Sequence, residues 1–336
     1  MSIIVRGAGV AASTCSFLLQ SAEFPMTSEA IVRPLVPAVM LPPSSQELFE
    51  NVLKVSEVFR GAPQISKRIV KWGTNAKPMA FSHSAVVVSE RFLLDRIESE
   101  IGARHPVSKG ENAWTILSSR PLPENSVEHG FGSRKAAVVP VRLNDDSDHS
   151  ACWIESLQDG WLFLVPNTPG SGWLISVGDS PASHLRNSGI IAAQIQQVQE
   201  TVSEFSSYPG IAWPLCGRNW LACGSAALRF DPLCGEGIGH AIREAILASA
   251  IVRAASSGAD IDELLAHYRM RLLAAFKRHL IHCAGFYRSG GDSSWWRSEA
   301  ESIERGVEWC HNQLGGTAMF HYRLNGFDLE ALRRNS

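Results

Sequence analysis

Trp220-Leu-Ala-Cys-Gly224-Ser-Ala-Ala-Leu-Arg-Phe-Asp231-Pro232-Leu-Cys-Gly235-Glu236-Gly237-Ile-Gly239-His-Ala is the stretch on which the fold turns. The apolar run at its start reads as a strand. The Asp-Pro step and the glycines break that strand into a loop, and the Ala/Ile-rich run to Ala255 reads as a long helix. A helix that opens directly out of a glycine loop offers its free N–H groups, and the positive end of its dipole, to whatever lies in front of it.

The same grammar occurs at the other end of the chain. Ile3-Ile4-Val5 reads as a strand, Gly7-Ala8-Gly9-Val10-Ala11-Ala12 fits G-x-G-x-x-A, and an Ala/Ser/Leu-rich helix follows to Leu19. Gly7 permits the tight turn, Gly9 lets backbone approach a pyrophosphate, and Ala12 lets helix and strand pack closely. Such folds usually place an acidic residue after the second strand to hold the adenosine ribose. Here the second strand, read at Ile31-Val32, ends in Arg33-Pro34. Arg33 then has three readings: a phosphate contact, a stacking partner for adenine, or a solvated side chain.

Between the two loops the elements alternate and then change character. A helix is expected over Ser45 to Val55, short β stretches over Ser66 to Trp72 and Ser84 to Val88, and an amphipathic helix over Glu90 to Ile101. Strands separated by turns follow at Trp114–Leu117, Ala136–Leu143, Ala151–Leu157, Trp161–Val165 and Trp173–Val177, with a Gln-rich helix around Ala192 to Phe205. Two further helices are expected near 261–286 and 298–313. The expected fold is α/β: a Rossmann-type domain over 1–65, 76–110 and 206–290, an inserted antiparallel substrate sheet over 66–75 and 111–205, and a helical tail over 291–336.

The strand, G-D-A-A-like turn and D-P-x-x-G-x-G helix start resemble the C-terminal FAD motif of the flavin monooxygenase and halogenase superfamily. The first glycine loop supplies the matching N-terminal half. The resemblance implies an FAD site built from Gly7, Gly9, Ala12, Arg33, Ser225, Asp231, Pro232, Gly235 and Gly237. It also implies Arg91, because Ser89-Glu90-Arg91-Phe92-Leu93-Leu94-Asp95 looks like the family's R-x-x-L-D helix start. The other reading of Arg91 is a surface pair with Asp95 one helical turn on. Where the family has Asp after Gly224 this chain has Ser225, a weaker partner for a ribityl hydroxyl, so looser FAD binding is implied.

Halogenases in this superfamily carry W-x-W-x-I-P, against which this chain has Trp161-Leu-Phe163-Leu-Val-Pro166. They also place a lysine eight residues before a Trp-Gly pair, whereas the residue eight before Trp72-Gly73 is Gln64. Lys67 and Lys71 stand at other spacings, so tryptophan-type halogenation is disfavoured. Phe81-Ser-His83-Ser, the Tyr287 region and Trp295-Trp296 resemble most closely a subgroup that matures the quinone cofactors of amine and amino-acid oxidases. For that subgroup the implied substrate is a Trp side chain of a partner protein. His83 could move a proton or be an ordinary hydrogen-bonded histidine. Trp161 and Phe163 could wall an aromatic pocket or pack a core. Glu236 could cap the helix start, and Trp295-Trp296 could be an interface or buried packing.

Bulk properties exclude some classes. Net charge is −2, from 31 basic and 33 acidic residues with no basic stripe, which argues against nucleic acid and membrane surfaces as partners. The seven cysteines, Cys15, Cys152, Cys216, Cys223, Cys234, Cys283 and Cys310, contain no C-x-x-C pair and read as reduced thiols, with no metal site expected. The start lacks a signal-peptide pattern, so a cytoplasmic location is expected. No second nicotinamide-type glycine loop is visible, which points to a separate flavin reductase or a transient NAD(P)H encounter. A non-catalytic flavin-fold binding protein or chaperone, or an oxygenase or halogenase-like enzyme acting on a small aromatic molecule, are the competing functions.

Overall fold

The computed structural model describes residues 2–101, 113–123, 125–315 and 320–332. Among them are seven α-helices: α1 (Val10–Ser21), α2 (Pro43–Leu53), α3 (Glu90–Glu100), α4 (Pro181–Asn187), α5 (Gly237–Ser256), α6 (Ile261–Ser289) and α7 (Ser294–Leu314). The sheets fall into two principal bodies, and the site lies where they meet.

The first body is a five-stranded sheet in the order Cys216–Gly217, Trp220–Ala222, Trp114–Leu117, Ile3–Gly7, Met26–Ala30, parallel except for its Cys216 hairpin edge. Ile3 and Val5 are buried while Ile4 and Arg6 are half-buried, the period-2 pattern of a strand covered unequally on its two faces. The helix α1 packs against this sheet and against α5. Small residues allow that approach: a side chain on Gly224 would collide with the methyl of Ala11. The two glycine loops are therefore neighbours in space although most of the chain lies between them.

The second body is a nine-stranded sheet dominated by antiparallel pairs. Its order runs from Ile195–Val198 through Lys135–Leu143, Ser171–Val177, Gly160–Thr168, Ala151–Leu157, Gln64–Lys71 and Met79–Val88 to Val39–Leu41, with Ser203–Ser206 also on Lys135–Leu143. The one parallel neighbour pair is Gln64–Lys71 with Ala151–Leu157. A three-stranded sheet joins Leu228–Arg229, Gly210–Trp213 and Val127–Gly130. The helices α6 and α7 pack along each other, and their buried faces join the main core through Phe276, Tyr287 and Trp296.

Four sequence expectations need correction. Trp114–Leu117, read as the first strand of the inserted block, lies in the parallel sheet between Ile3–Gly7 and Trp220–Ala222. The second parallel strand is Met26–Ala30, and Ile31-Val32 lie beyond its end. The span 192–205 is not a helix: a single 3₁₀ turn at Ala192–Gln194 leads into two edge strands. Pairing with Lys135–Leu143 outweighs the helix preference of the glutamines. The tail is not wholly helical either, because after α7 it forms a hairpin, Tyr322–Asn325 with Asp328–Ala331. Among the described residues no helix is long and apolar enough to cross a membrane.

Candidate functional site

A cavity of about 480 Å³ lies between the two sheet bodies, within the range of small-molecule and cofactor sites. One wall is backbone from the first glycine loop, Ala8 and Gly9, and from the second, Gly224, Ser225 and the Asp231-to-Gly239 turn. The opposite wall is apolar and comes from the nine-stranded sheet: Val138, Phe163, Val165, Trp173 and Ile175. Arg33, Glu90 and Ser118 complete the lining.

Two helices point their N-termini into this space. The N-cap of α1 is Gly9, at φ 88°, and that of α5 is Glu236; neither helix has a side-chain cap. Ser89 caps α3, Ser180 caps α4 and Asp260 caps α6, while α2 and α7 also start without a side-chain cap but open from neither glycine loop. What distinguishes α1 and α5 is that their uncapped first turns open from the glycine loops and line the cavity, where both dipoles favour negative charge. Gly235, at φ 66°, turns the loop so that α5 can start, and around it and Gly237 the space is open. These features fit the two anionic regions of a flavin dinucleotide, the diphosphate and the pyrimidine edge of the ring.

Two buried carboxyls adjoin the cavity. Glu90, the first residue of α3, accepts from both terminal nitrogens of Arg33 and from the Val36 N–H at 2.9 Å. A side chain on Gly9 would run into this pair. Glu244, on α5, accepts from the Gly224 N–H at 2.7 Å through Oε2, while its buried Oε1 has no partner among the described residues. Burial pushes the Glu244 carboxyl up to about 8, against the opposing pull of the Gly224 N–H, so it is largely protonated at neutral pH. Sequence reading missed both. Locally Glu90 is an acidic residue in the first turn after the capping Ser89, and Glu244 a single acid on a mostly apolar helix, so neither carries a local sign of its buried partner.

Of the residues singled out from sequence, Gly9, Arg33, Phe163, Ser225, Asp231, Pro232, Gly235 and Gly237 line the cavity. Gly7 sits behind the loop, tight against Ser118 and Ser119, and Ala12 is buried in α1. The Ser225 hydroxyl donates to the Ser118 carbonyl at 3.3 Å. The Asp231 carboxylate turns inward: it accepts from Arg134 Nη2 at 2.6 Å, from Tyr287 at 2.9 Å and from the Leu233 N–H at 2.8 Å. Arg91 stands on the surface, 3.6 Å from Asp95.

The remaining candidates lie outside the cavity lining. Trp161 is fully buried and its indole donates to Tyr287 at 3.1 Å. His83 sits 3.0 Å from Arg68, and burial followed by the Arg68 charge lowers its pKa. Lys67 pairs with Asp148 and Lys71 with buried Glu155, each at 3.0 Å. Trp296 is buried with its indole donating to the Leu157 carbonyl, and Trp295 packs edge-on against it at 4.8 Å.

No protein-family model and no curated protein sequence matches the chain. Solved structures do. CmlS, a flavin-dependent halogenase, superposes with a TM-score of 0.72 at 19% identity, over 92% of this chain and 70% of its own. The peptidyl tryptophan dihydroxylase QhpG, essential for tryptophylquinone cofactor biogenesis, superposes with 0.71 at 15% identity, over 98% and 86%. The fold is that of the flavin-dependent halogenases and monooxygenases. A substituted form of HpxO from Klebsiella pneumoniae, complexed with FAD, shares it with a TM-score of 0.61 at 14% identity, over 94% of this chain and 98% of its own. In this chain both glycine loops face one cavity.

Proposed function

We propose that the chain is an FAD-dependent monooxygenase acting on an aromatic group, with a Trp side chain carried by a partner protein as its preferred substrate. The observation that carries this reading is the composition of the cavity. One wall offers two uncapped helix N-termini for a dianionic, ring-bearing cofactor, and the other offers Phe163, Trp173 and neighbouring aliphatic side chains for an aromatic guest. Bound FAD, once reduced, supplies oxygen activation.

The protein's own groups have separable tasks. The N–H groups of α1 and Arg33 hold the diphosphate, and Glu90 stands in for the ribose carboxylate missing after Met26–Ala30. Ser225 meets the ribityl chain, and the start of α5 stabilises negative charge on the flavin ring. The apolar sheet wall excludes water and orients the substrate ring.

Three observations favour a peptide-borne aromatic group over halogenation or a free small molecule. Lys67 and Lys71 are engaged by acidic partners away from the cavity. The edge strands Ile195–Val198 and Ser203–Ser206 leave Val198, Val202 and Phe205 exposed, and Phe205 itself lines the cavity, an arrangement suited to an extended peptide laid along a sheet edge. QhpG, with a near-equal TM-score, acts on peptidyl tryptophan. Electrons come from a separate flavin reductase in this reading.

The test is the visible spectrum of the purified protein with and without added FAD, followed by oxygen consumption by the reduced holoprotein given Trp-containing peptide or free indole. Flavin bands that stay with the protein through gel filtration, and a peptide gaining one or two oxygen atoms, are the expected results. A preference for indole moves the substrate to small aromatics. A protein that stays colourless in excess FAD leaves a non-catalytic binding scaffold.

A further inference from the structure

Directly behind the cofactor-facing loop lies a cluster that the proposed oxygenase chemistry does not use. Cys234, in the Asp231-to-Gly235 turn, has its sulfur 3.5 Å from that of Cys283 on α6. His279, one helical turn before Cys283, places Nε2 3.3 Å from the Cys283 sulfur. All three ligand atoms lie within 4.8 Å of one another.

Two chemistries suit such a cluster, a soft cation site or a dithiol. The histidine decides between them. Its Nε2 already accepts the Asp231 backbone N–H at 2.9 Å, so the lone pair a cation would need is committed to holding the loop. The sulfurs have no such commitment. They differ as a nucleophile and a resolving thiol differ: Cys234 is half-buried beside Pro232 and Gly235, which line the cavity, whereas Cys283 is buried in the core. The Cys283 thiol donating onto Cys234 lowers the Cys234 pKa, while that hydrogen bond and burial raise Cys283.

The chain contains its own control. Cys15 and Cys223 also face each other, at 4.0 Å, but both are sealed in the core and the Cys223 thiol is raised. A close sulfur pair is therefore not enough; access and thiolate character distinguish Cys234.

We propose that Cys234 and Cys283 are a redox-active dithiol, oxidised by hydrogen peroxide to a disulfide that ties the cofactor-facing loop to α6. The Cys234 thiolate attacks one peroxide oxygen, the O–O bond breaks, and hydroxide leaves and takes a proton, giving a sulfenic acid and water. The Cys283 sulfur then attacks the sulfenic sulfur; the S–O bond breaks, the Cys283 proton leaves with the hydroxyl as a second water, and the S–S bond forms. Two thiols lose two electrons and one peroxide gains them. Closing the pair brings the sulfurs to about 2.0 Å and draws the loop inward, away from the cavity. The link to flavin rests on the proposed function, since reduced flavin and oxygen are a source of peroxide; the dithiol chemistry itself does not.

The experiment adds stoichiometric hydrogen peroxide to the full chain, blocks remaining thiols with an alkylating reagent and maps peptides by mass spectrometry. FAD affinity is measured before and after. Expected are a Cys234–Cys283 crosslink reversed by dithiothreitol, unmodified Cys15 and Cys223, and FAD bound several-fold less tightly by the oxidised form. Free alkylation of Cys234 after peroxide overturns the proposal. So do thiols that resist alkylation until a chelator is added, which would show a cation site. Equal FAD affinity in both forms overturns the hold on the loop. A chain that crosslinks yet never binds FAD keeps the dithiol and removes the oxygenase reading.

Discussion

Glu90 holds Arg33 through both carboxylate oxygens, and the pair rests against Gly9 where the first helix begins. The geometry couples a stability term to a cofactor term. Replacing Arg33 with Met removes the charge and leaves a carboxylate whose side chain is 3% exposed with the Val36 N–H as its remaining hydrogen bond among those seen. Breaking a fully buried pair costs about 3–5 kcal/mol. Arg33 keeps 31% exposure, so solvent screening reduces the expected loss to about 1–2 kcal/mol. Urea unfolding of the flavin-free protein measures it, and an unchanged midpoint would show that the pair has no structural weight. FAD affinity is expected to fall in the same variant.

A second ion cluster lies deeper. Arg134, with a fully buried side chain, meets Asp231 at 2.6 Å and Glu299 at 2.5 Å, and its guanidinium lies 4.2 Å from the centre of the Tyr287 ring. Two carboxylates share one cation that joins the flavin loop, α6 and α7. Arg134→Met strands both acids in the core, and the expected loss is at least about 3–5 kcal/mol. The replacement should lower the thermal midpoint more than Arg33→Met does; the reverse order would place the main electrostatic constraint beside the first glycine loop.

The glycine loops were legible because backbone conformation there demands particular residues, and so two loops far apart in sequence named one fold. Glu90 was not. A serine followed by a glutamate at a helix start satisfies local capping rules whether the glutamate faces water or a buried arginine, and only tertiary structure distinguishes the two. Trp161 and Phe163 show the same limit: both lie on one strand, two residues apart, yet one reaches Tyr287 in the core and the other reaches the cavity. Alternation gives a face, not the neighbour along it. The C-terminal hairpin did carry a readable signal, a glycine at the first position of its Gly326-Phe327 turn, with Gly326 at φ 59°.

Stability should depend on pH through Glu244. Its folded pKa, about 8, lies above the unfolded carboxyl value of 4.5, so the native state binds the proton more tightly. Below pH 4.5 both states are protonated and burial costs nothing on this account; as pH rises toward 8 the unfolded state ionises freely and native stability falls, levelling off above that. At ~1.4 kcal/mol per unit the full effect is at most about 5 kcal/mol. Glu244→Gln keeps an oxygen for the Gly224 N–H and removes the titration. The difference in unfolding free energy between wild type and variant should therefore swing in favour of the variant between pH 5 and 8, and a flat difference would mean that Glu244 is solvated.

Ser225→Asp tests the cofactor assignment at the position where the chain departs from the flavoprotein motif. The present hydroxyl spends its proton on the Ser118 carbonyl and leaves only lone pairs for a ribityl hydroxyl. A carboxylate accepts more strongly, and a charge-assisted hydrogen bond is worth about 1 kcal/mol more than a neutral one. The nearby Glu244 carboxyl would repel a new charge if ionised, but near neutral pH it is mostly protonated, so the repulsion is small. Tighter FAD binding by roughly 3- to 10-fold is expected, read from quenching of flavin fluorescence on titration. The gain should shrink above pH 8, where Glu244 ionises and the two carboxylates oppose each other. Weaker binding by the variant at pH 7 would mean that the ribityl chain does not pass Ser225, and the cofactor would have to lie the other way along the cavity.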